Sequence, residues 1–206
     1  STRFRAMDEL ATTYMEWARY LQQNNLETPA RQNQLLDDAF SYYTGLLNTA
    51  PNYRQAKEVF AAIIELSLDH FKDLEKAETW LEKFSAQTPD DDSFMLYAEG
   101  RIAIFKKNYT RARQALTRAD RATEGSDLSE KSRYYLSMSD FYAGDFEFAA
   151  IQFRSLEKRH TSFYSNDAIK KSMWIRNGLR ADSTGSLLQT IGQGFHAASR
   201  TSLVQV

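Results

Sequence analysis

The stretch AEGRIAIFKKNYTRARQALTRA, residues 98–119, decides the fold of this chain. Its first part is apolar and contains a small residue, Gly100. After a short polar turn, its second part places Ala112, Leu116 and Ala119 at spacings of four and three residues. Apolar residues at intervals of three and four lie on one face of an α-helix, so the stretch predicts a helical hairpin.

The same spacing recurs elsewhere in the chain. Ala39, Ala77, Ala112 and Ala149 are separated by 38, 35 and 37 residues. Larger apolar residues follow four positions later, and further apolar residues three positions after those. These are Tyr43, Leu81, Leu116 and Phe153, followed by Leu46, Phe84, Ala119 and Leu156. Self-similarity at intervals slightly longer than about 34 residues is typical of stacked helical hairpins.

The stretches at 98–119 and 137–156 resemble tetratricopeptide repeats. The matching positions are Gly100, Asn108, Tyr109, Ala112, Leu116 and Ala119 in one copy, and Ser137, Gly144, Asp145, Phe146, Ala149 and Phe153 in the next. Pro51 and Pro89 match the proline that often follows the second helix of a repeat. The resemblance covers most of the chain and is clearest between residues 58 and 156. It implies a superhelix with a concave groove that binds protein segments.

We therefore expect an all-α fold, a right-handed α-solenoid of about five tetratricopeptide-like hairpins in one domain, 1–206, that is a fragment of a longer chain. The hairpins are expected at residues 4–48, 53–86, 92–122, 130–159 and 166–200. The last hairpin has few of the residues that are typical of the family. Gly192 and Gly194 each destabilise its second helix by about 1 kcal/mol relative to Ala. This weakness suggests that residues 183–206 form an end-to-end contact with a partner.

Helix starts are also predicted from capping residues. Thr28 precedes Pro29, a combination that favours a helix N-terminus. The first helices of the later hairpins are expected to open at Asn52, at Asp91 or Asp92, at Ser129 and at Ser165.

Composition excludes several classes of protein. The chain has no cysteine, which excludes disulfides and thiolate metal sites. Its net charge of −1 gives no overall field toward nucleic acid or an acidic membrane, and no stretch is apolar enough to span a bilayer. Residues 153–169 are similar to repeat junctions in bacterial envelope members of the family, such as outer-membrane-assembly lipoproteins. The compartment stays open between the bacterial periplasm or envelope and the cytoplasm.

Catalytic and cofactor motifs are absent from the sequence. His70, His160 and His196 are too far apart in the chain for a local metal-ligand motif. GQGFHA, residues 192–197, has the spacing of a dinucleotide loop but follows no strand. We therefore expect no enzymatic activity, no cofactor and no metal.

The expected function is a non-catalytic scaffold or adaptor for protein–protein interaction, working as a subunit of a larger assembly. The family register places six first-helix residues in the concave groove, with an uncertainty of one position. They are Tyr97, Arg101, Phe105, Tyr134, Met138 and Tyr142. Arg and aromatic residues dominate protein-binding surfaces, so this groove is the candidate site for a peptide or helix of another protein.

A nucleic-acid-binding helical repeat is the alternative. It would use the second helix at 109–121, with Arg111, Arg113, Arg118 and Arg121. It would also use the basic part at 151–206, which has 8 basic and 3 acidic residues, whereas residues 1–150 have 18 and 24. On a helical wheel the four arginines are spread around the polar arc, which favours an ordinary solvent-exposed face.

Overall fold

The computed structural model describes residues 2–157 and 163–201. These residues form ten α-helices joined by short turns, and no strand occurs among them, which confirms the all-α prediction. The helices are α1 (Thr2–Gln23), α2 (Pro29–Thr49), α3 (Ala56–Asp69), α4 (Leu74–Ser85), α5 (Ser93–Phe105), α6 (Tyr109–Ala122), α7 (Asp127–Ala143), α8 (Phe146–Glu157), α9 (Phe163–Ala181) and α10 (Ser186–Arg200).

The chain divides into two compact units, one ending at Gln87 and the other beginning at Thr88. In the first unit α1 packs on α2, α2 on α3, and α3 on α4. In the second unit each helix from α5 to α9 packs on the next, and α5 and α9 also contact α7. The last helix, α10, contacts both α9 and α7. The single solenoid of five hairpins stays a prediction.

The repeated alanines lie in the cores of the two units. Ala39, Ala77, Ala112 and Ala149 are all fully buried, with 0% of their surface exposed. The apolar residues that follow them in each second helix are buried as well, except Leu81, which is partly exposed. The repeated spacing therefore identifies the packed face of four second helices.

Gly100 allows the closest approach within the second unit. A Cβ atom at this position would lie 2.5 Å from Cγ of Leu116, which is itself fully buried on α6. No real Cβ contact is this short, so α5 and α6 can pack at their observed separation because residue 100 has no side chain.

Two of the predicted helix starts are confirmed. The Thr28 hydroxyl accepts a hydrogen bond from the Arg31 amide at 3.4 Å. The carboxylate of Asp92 accepts from the amides of Phe94 and Met95 at 3.0 and 3.4 Å. These bonds satisfy amide groups that have no partner inside the helix.

The other three predicted starts are wrong by two to four residues. A hydrogen-bonded turn follows Asn52, and α3 begins only at Ala56. Ser126 caps α7 by accepting from the Ser129 amide at 3.2 Å, while the Ser129 hydroxyl donates to Asp120 at 2.6 Å. Likewise α9 begins at Phe163, before Ser165. The residue type of a possible N-cap alone therefore does not fix the helix boundary.

Candidate functional site

The six predicted groove residues lie on α5 and α7 of the second unit, and α9 packs beside α7. We call the surface formed by these three first helices the α5–α7–α9 face. Tyr97, Arg101 and Met138 are buried in it, whereas Phe105, Tyr134 and Tyr142 are partly exposed. The partner-binding role of the six stays a prediction.

An arginine and two tyrosines hold α5 against α7. The guanidinium of Arg101 lies 3.5 Å from the ring centroid of Tyr135 and donates a hydrogen bond to the hydroxyl of Tyr97 at 3.0 Å. A cation over an aromatic face is stabilised most when it is withdrawn from water, and Arg101 is only 5% exposed. Arg101 therefore supports the face from beneath, and the partly exposed ring of Tyr135 lies above it.

A second polar contact joins α7 to α9. The hydroxyl of Tyr134 donates to the carboxylate of Asp167, and Lys171 forms an ion pair with the same carboxylate. The Tyr134 ring lies 4.7 Å from that of Tyr164. Burial and the charge of Asp167 raise the pKa of Tyr134 well above its usual value, so its hydroxyl remains a donor at neutral pH. Together with Arg101 and Tyr135 this arrangement forms a cluster rich in tyrosine and charge.

The sequence reasoning missed Tyr135, Asp167 and Lys171. Tyr135 differs by one position from the predicted Tyr134, which is the stated uncertainty of the register. Asp167 and Lys171 are spaced four residues apart, as is common for ion pairs on one helix face. That spacing could have drawn attention to α9.

The last helix, α10, contacts the C-terminal ends of α9, α7 and α5, which are the first helices of the hairpins in the second unit. Leu188, 2% exposed, fits against Gly178 on α9, where a Cβ atom would lie 2.6 Å from the leucine side chain. One turn later Gly192 faces α7, where a Cβ atom would lie 3.4 Å from Cε1 of Phe141. Glycine thus brings the backbone of α10 close to the end of α7.

The same row of α10 continues to α5. His196 donates from Nε2 to the carbonyl oxygen of Ile104 at 2.9 Å, and its ring lies 4.9 Å from that of Tyr142. The guanidinium of Arg200 lies 5.3 Å from the ring centroid of Phe105. Two of the predicted groove residues, Phe105 and Tyr142, are therefore in contact with a helix of the same chain.

The hydrogen bond to Ile104 fixes the tautomer of His196. Because the carbonyl can only accept, Nε2 carries the proton and Nδ1 is unprotonated. Nδ1 is buried and has no hydrogen-bond partner within the described residues. Burial lowers the pKa of His196, and the charges of Arg200 and Lys107 lower it further, against the opposing effect of the Ile104 bond. The surroundings of His196 therefore favour the neutral form of its imidazole ring.

Comparison with known proteins identifies no relative. No protein-family model, curated protein or solved structure matches this chain. The tetratricopeptide interpretation accordingly depends on the residues of the chain itself, above all on the four buried alanines and their spacing.

Ion pairs engage half of the arginines proposed for nucleic acid. Arg111 lies 2.5 Å from Glu99, and Arg113 lies 2.6 Å from Asp140 and also pairs with Asp145. Asp140 is buried, and burial raises the pKa of its carboxyl against the opposing effect of Arg113. These two arginines join α6 to α5 and to the end of α7, which weighs against a role in phosphate binding. The other two arginines of α6 are exposed.

The first unit contains an open cleft of about 870 Å³. Its lining residues are Arg5, Asp8, Glu9, Thr12, Thr13, Tyr43, Tyr53, Arg54, Gln55 and Glu58. Asp8 accepts from the Tyr53 hydroxyl at 2.9 Å, and burial raises the pKa of this carboxyl. Thr12 and Tyr43 share a hydrogen bond of 2.9 Å. Burial raises the pKa of each tyrosine to about 12. These polar groups contact one another, and the prediction that the chain is not an enzyme remains untested.

The described part of the chain has neither a metal-binding cluster nor a membrane-spanning helix. No group of three or more His, Asp or Glu residues is placed to hold a metal ion. No helix there is both long and apolar enough to cross a membrane. His70 binds Asp37 at 2.7 Å, and His160 lies outside the described residues. Residues 158–159 of the predicted fourth hairpin and 202–206 of the predicted contact also lie outside them.

Proposed function

We propose that this chain is a non-catalytic protein–protein interaction scaffold that binds a segment of another protein on the α5–α7–α9 face. The observation that carries the proposal is the position of α10. One row of this helix, at four-residue intervals from Leu188 to Arg200, contacts α9, α7 and α5 in turn. The packing of a helix of the same chain on this face supports helix-in-groove recognition as the way in which a partner segment binds.

The tyrosine-rich cluster extends the same face beyond α10. The contacts of α10 reach Ile104 and Phe105 on α5, and they reach residues 141–144 at the C-terminal end of α7. Tyr134 and Tyr135 lie about two turns nearer to the start of α7. Tyrosine combines a large apolar ring with a hydrogen-bonding hydroxyl, which is why it is enriched where proteins bind one another. We assign the partner segment to this part of the face.

The interpretation of the hairpins as tetratricopeptide-like belongs to the same proposal. In it the hairpins are tetratricopeptide-like, they stack as a solenoid, and the chain works as an adaptor in a larger assembly. The fully buried alanines at near-regular spacing support it, because a small residue at that position lets each second helix pack closely on the helix before it.

Site-specific photocrosslinking tests the proposed surface. A benzophenone amino acid replaces Tyr135 in one variant and Gln114, an exposed residue of α6, in the control. Each variant is expressed in its source cells and irradiated. We expect a discrete protein adduct from position 135 and none from position 114. Adducts of equal yield at both positions, or none at 135, would contradict the proposal.

A fluorescent oligonucleotide titration tests the alternative function. Binding through phosphate contacts falls steeply with salt. The proposal predicts no binding at low ionic strength. Salt-dependent binding that is lost in Arg118→Gln and Arg121→Gln variants would instead favour nucleic acid.

A further inference from the structure

The helix α10 is apolar on two sides. Leu188, Gly192 and His196 are buried against the second unit. One position before each of them lie Leu187, Ile191 and Phe195, which are 52%, 38% and 43% exposed. Residues at intervals of four remain on one side of a helix, so these three form a continuous apolar row.

A tryptophan on α9 continues this row. Trp174 is 48% exposed, and its ring stacks on that of Phe195 with a centroid distance of 5.7 Å and an angle of 3° between the planes. We call Trp174, Leu187, Ile191 and Phe195 the α9–α10 row. Single exposed apolar side chains are common, but a contiguous group of four large ones marks a surface that another molecule covers.

The charged groups exposed on these two helices are all basic within the described residues. They are Lys170, Arg176, Arg180 and Arg200. The two acidic residues in the same segment are engaged: Asp167 with Tyr134 and Lys171, and Asp182 with the groups that begin α10. Lys170 lies one helical turn before Trp174 on the same side of α9, so the α9–α10 row has beside it a basic group that is complementary to negative charge.

We propose that the α9–α10 row is a docking site for an acidic amphipathic helix of another protein. The row spans nine residues of α10, a rise of about 12 Å, so a second helix can lie beside it at an ordinary interaxial distance of about 8–10 Å. The partner would present apolar side chains at intervals of three and four, with Asp or Glu on both sides of them. This surface adjoins the tyrosine-rich cluster, since Nζ of Lys171 lies 6.0 Å from the ring centroid of Trp174, but the proposal does not depend on binding at the cluster.

A pair of synthetic peptides tests the proposal. Both are 18-residue amphipathic helices with the same leucine ridge, one with Glu and one with Lys at the flanking positions. Fluorescence anisotropy measures their binding to the full chain at physiological ionic strength. We expect the Glu peptide to bind about tenfold more tightly than the Lys peptide.

Two exposed isoleucines provide matched variants. Ile191→Gln changes the α9–α10 row, whereas Ile151→Gln changes an isoleucine on α8 that is 65% exposed and lies outside it. We expect Ile191→Gln to weaken the Glu peptide about tenfold and Ile151→Gln to leave it unchanged. Circular dichroism monitors helix content. If Ile191→Gln loses helix, Lys170→Glu decides instead, and we expect it to reduce the preference for the Glu peptide.

Three results would overturn the proposal. The first is equal binding of the two peptides, or an equal effect of the two isoleucine variants. The second is failure of the Glu peptide to bind while the chain cosediments with phosphatidylcholine–phosphatidylserine vesicles in a manner that Ile191→Gln abolishes, which would assign the row to a membrane. The third is a dimer in sedimentation velocity that Ile191→Gln dissociates, which would assign the row to a second copy.

Discussion

The hairpins α5/α6 and α9/α10 use the same contact but place their second helices differently. In each, a leucine of the second helix fills the space beside a glycine of the first. A Cβ on Gly100 would lie 2.5 Å from Leu116, and one on Gly178 would lie 2.6 Å from Leu188. After this contact α6 packs between α5 and α7, whereas α10 runs across the ends of earlier helices.

The residues that follow the leucine account for this difference. On α6, Ala112, Leu116 and Ala119 are fully buried in a narrow apolar stripe, and most of the other residues of the helix are polar. On α10 the corresponding row contains Gly192 and His196, and a second apolar row lies beside it. A helix with one narrow apolar stripe can bury it in only one orientation. A helix with two apolar rows can make apolar contacts through each of them. The glycine–leucine contact thus closes a hairpin without deciding which neighbours its second helix meets.

The largest expected effect separates the two leucines. Leu116→Ala removes a fully buried side chain between three helices, and we expect it to lower the free energy of unfolding by about 2–5 kcal/mol in urea denaturation. Leu188→Ala should instead release α10 locally. Hydrogen exchange would then speed up at residues 186–200 while protection of α5–α8 persists. Equal loss of protection throughout the second unit in both variants would contradict this distinction.

The glycines should respond in opposite directions. Gly100→Ala forces a Cβ against Leu116, and we expect a loss of about 1–3 kcal/mol in the free energy of unfolding. Gly194 on α10 has no atom within 4 Å of the position that a Cβ would take. We expect Gly194→Ala to stabilise α10 by about 1 kcal/mol, measured as slower hydrogen exchange at residues 186–200. Faster exchange there would mean that Gly194 makes a contact that its surroundings do not indicate.

The smallest expected effect is a pH dependence confined to α10. Burial lowers the pKa of His196, so this residue binds a proton less readily when α10 is packed on its neighbours than when α10 is detached from them. The contribution of His196 to the stability of the packed α10 is therefore complete above about pH 6.5, the ordinary pKa of histidine. It decreases as the pH falls below that value. Exchange at residues 186–200, corrected for intrinsic rates, should speed up between pH 7.5 and 5.5, with little change on α6.

His196→Gln is the control for that measurement. A glutamine amide can still donate to the Ile104 carbonyl but does not titrate in this range. We expect its exchange to be independent of pH between 7.5 and 5.5. The same acceleration in this variant would assign the effect to another group.

The sequence predicts where the helices of this chain lie better than it predicts which helices pack on one another. The spacing of Ala39, Ala77, Ala112 and Ala149 identifies positions that the structure buries completely, and the predicted last hairpin, 166–200, ends at the residue where α10 ends. These features succeed because periodicity reports which side of a helix is apolar. The contacts of α10 were beyond prediction, because periodicity does not state which surface covers an apolar side.

The candidate site was predicted only in part. Tyr97 and Arg101 were expected to face a partner, but they are buried against α7, since the adjacent Tyr135 covers the guanidinium. Tyr134 and the adjacent Tyr135 are both partly exposed, so burial does not choose between the two registers. The sequence left this choice open, and the partner-binding role of α5 and α7 stays a prediction.

The hydrogen bond between His196 and Ile104 has a consequence for the order of folding. It joins residues 92 positions apart, and the Ile104 carbonyl also accepts from the Lys107 amide at 2.9 Å. During synthesis the hairpin α5/α6 can form from local contacts, but this second bond must wait until α10 has left the ribosome. Contacts of such long sequence separation form late, because the intervening chain must first be ordered. Closure of the α5–α7–α9 face by α10 is thus expected to be among the last events in folding.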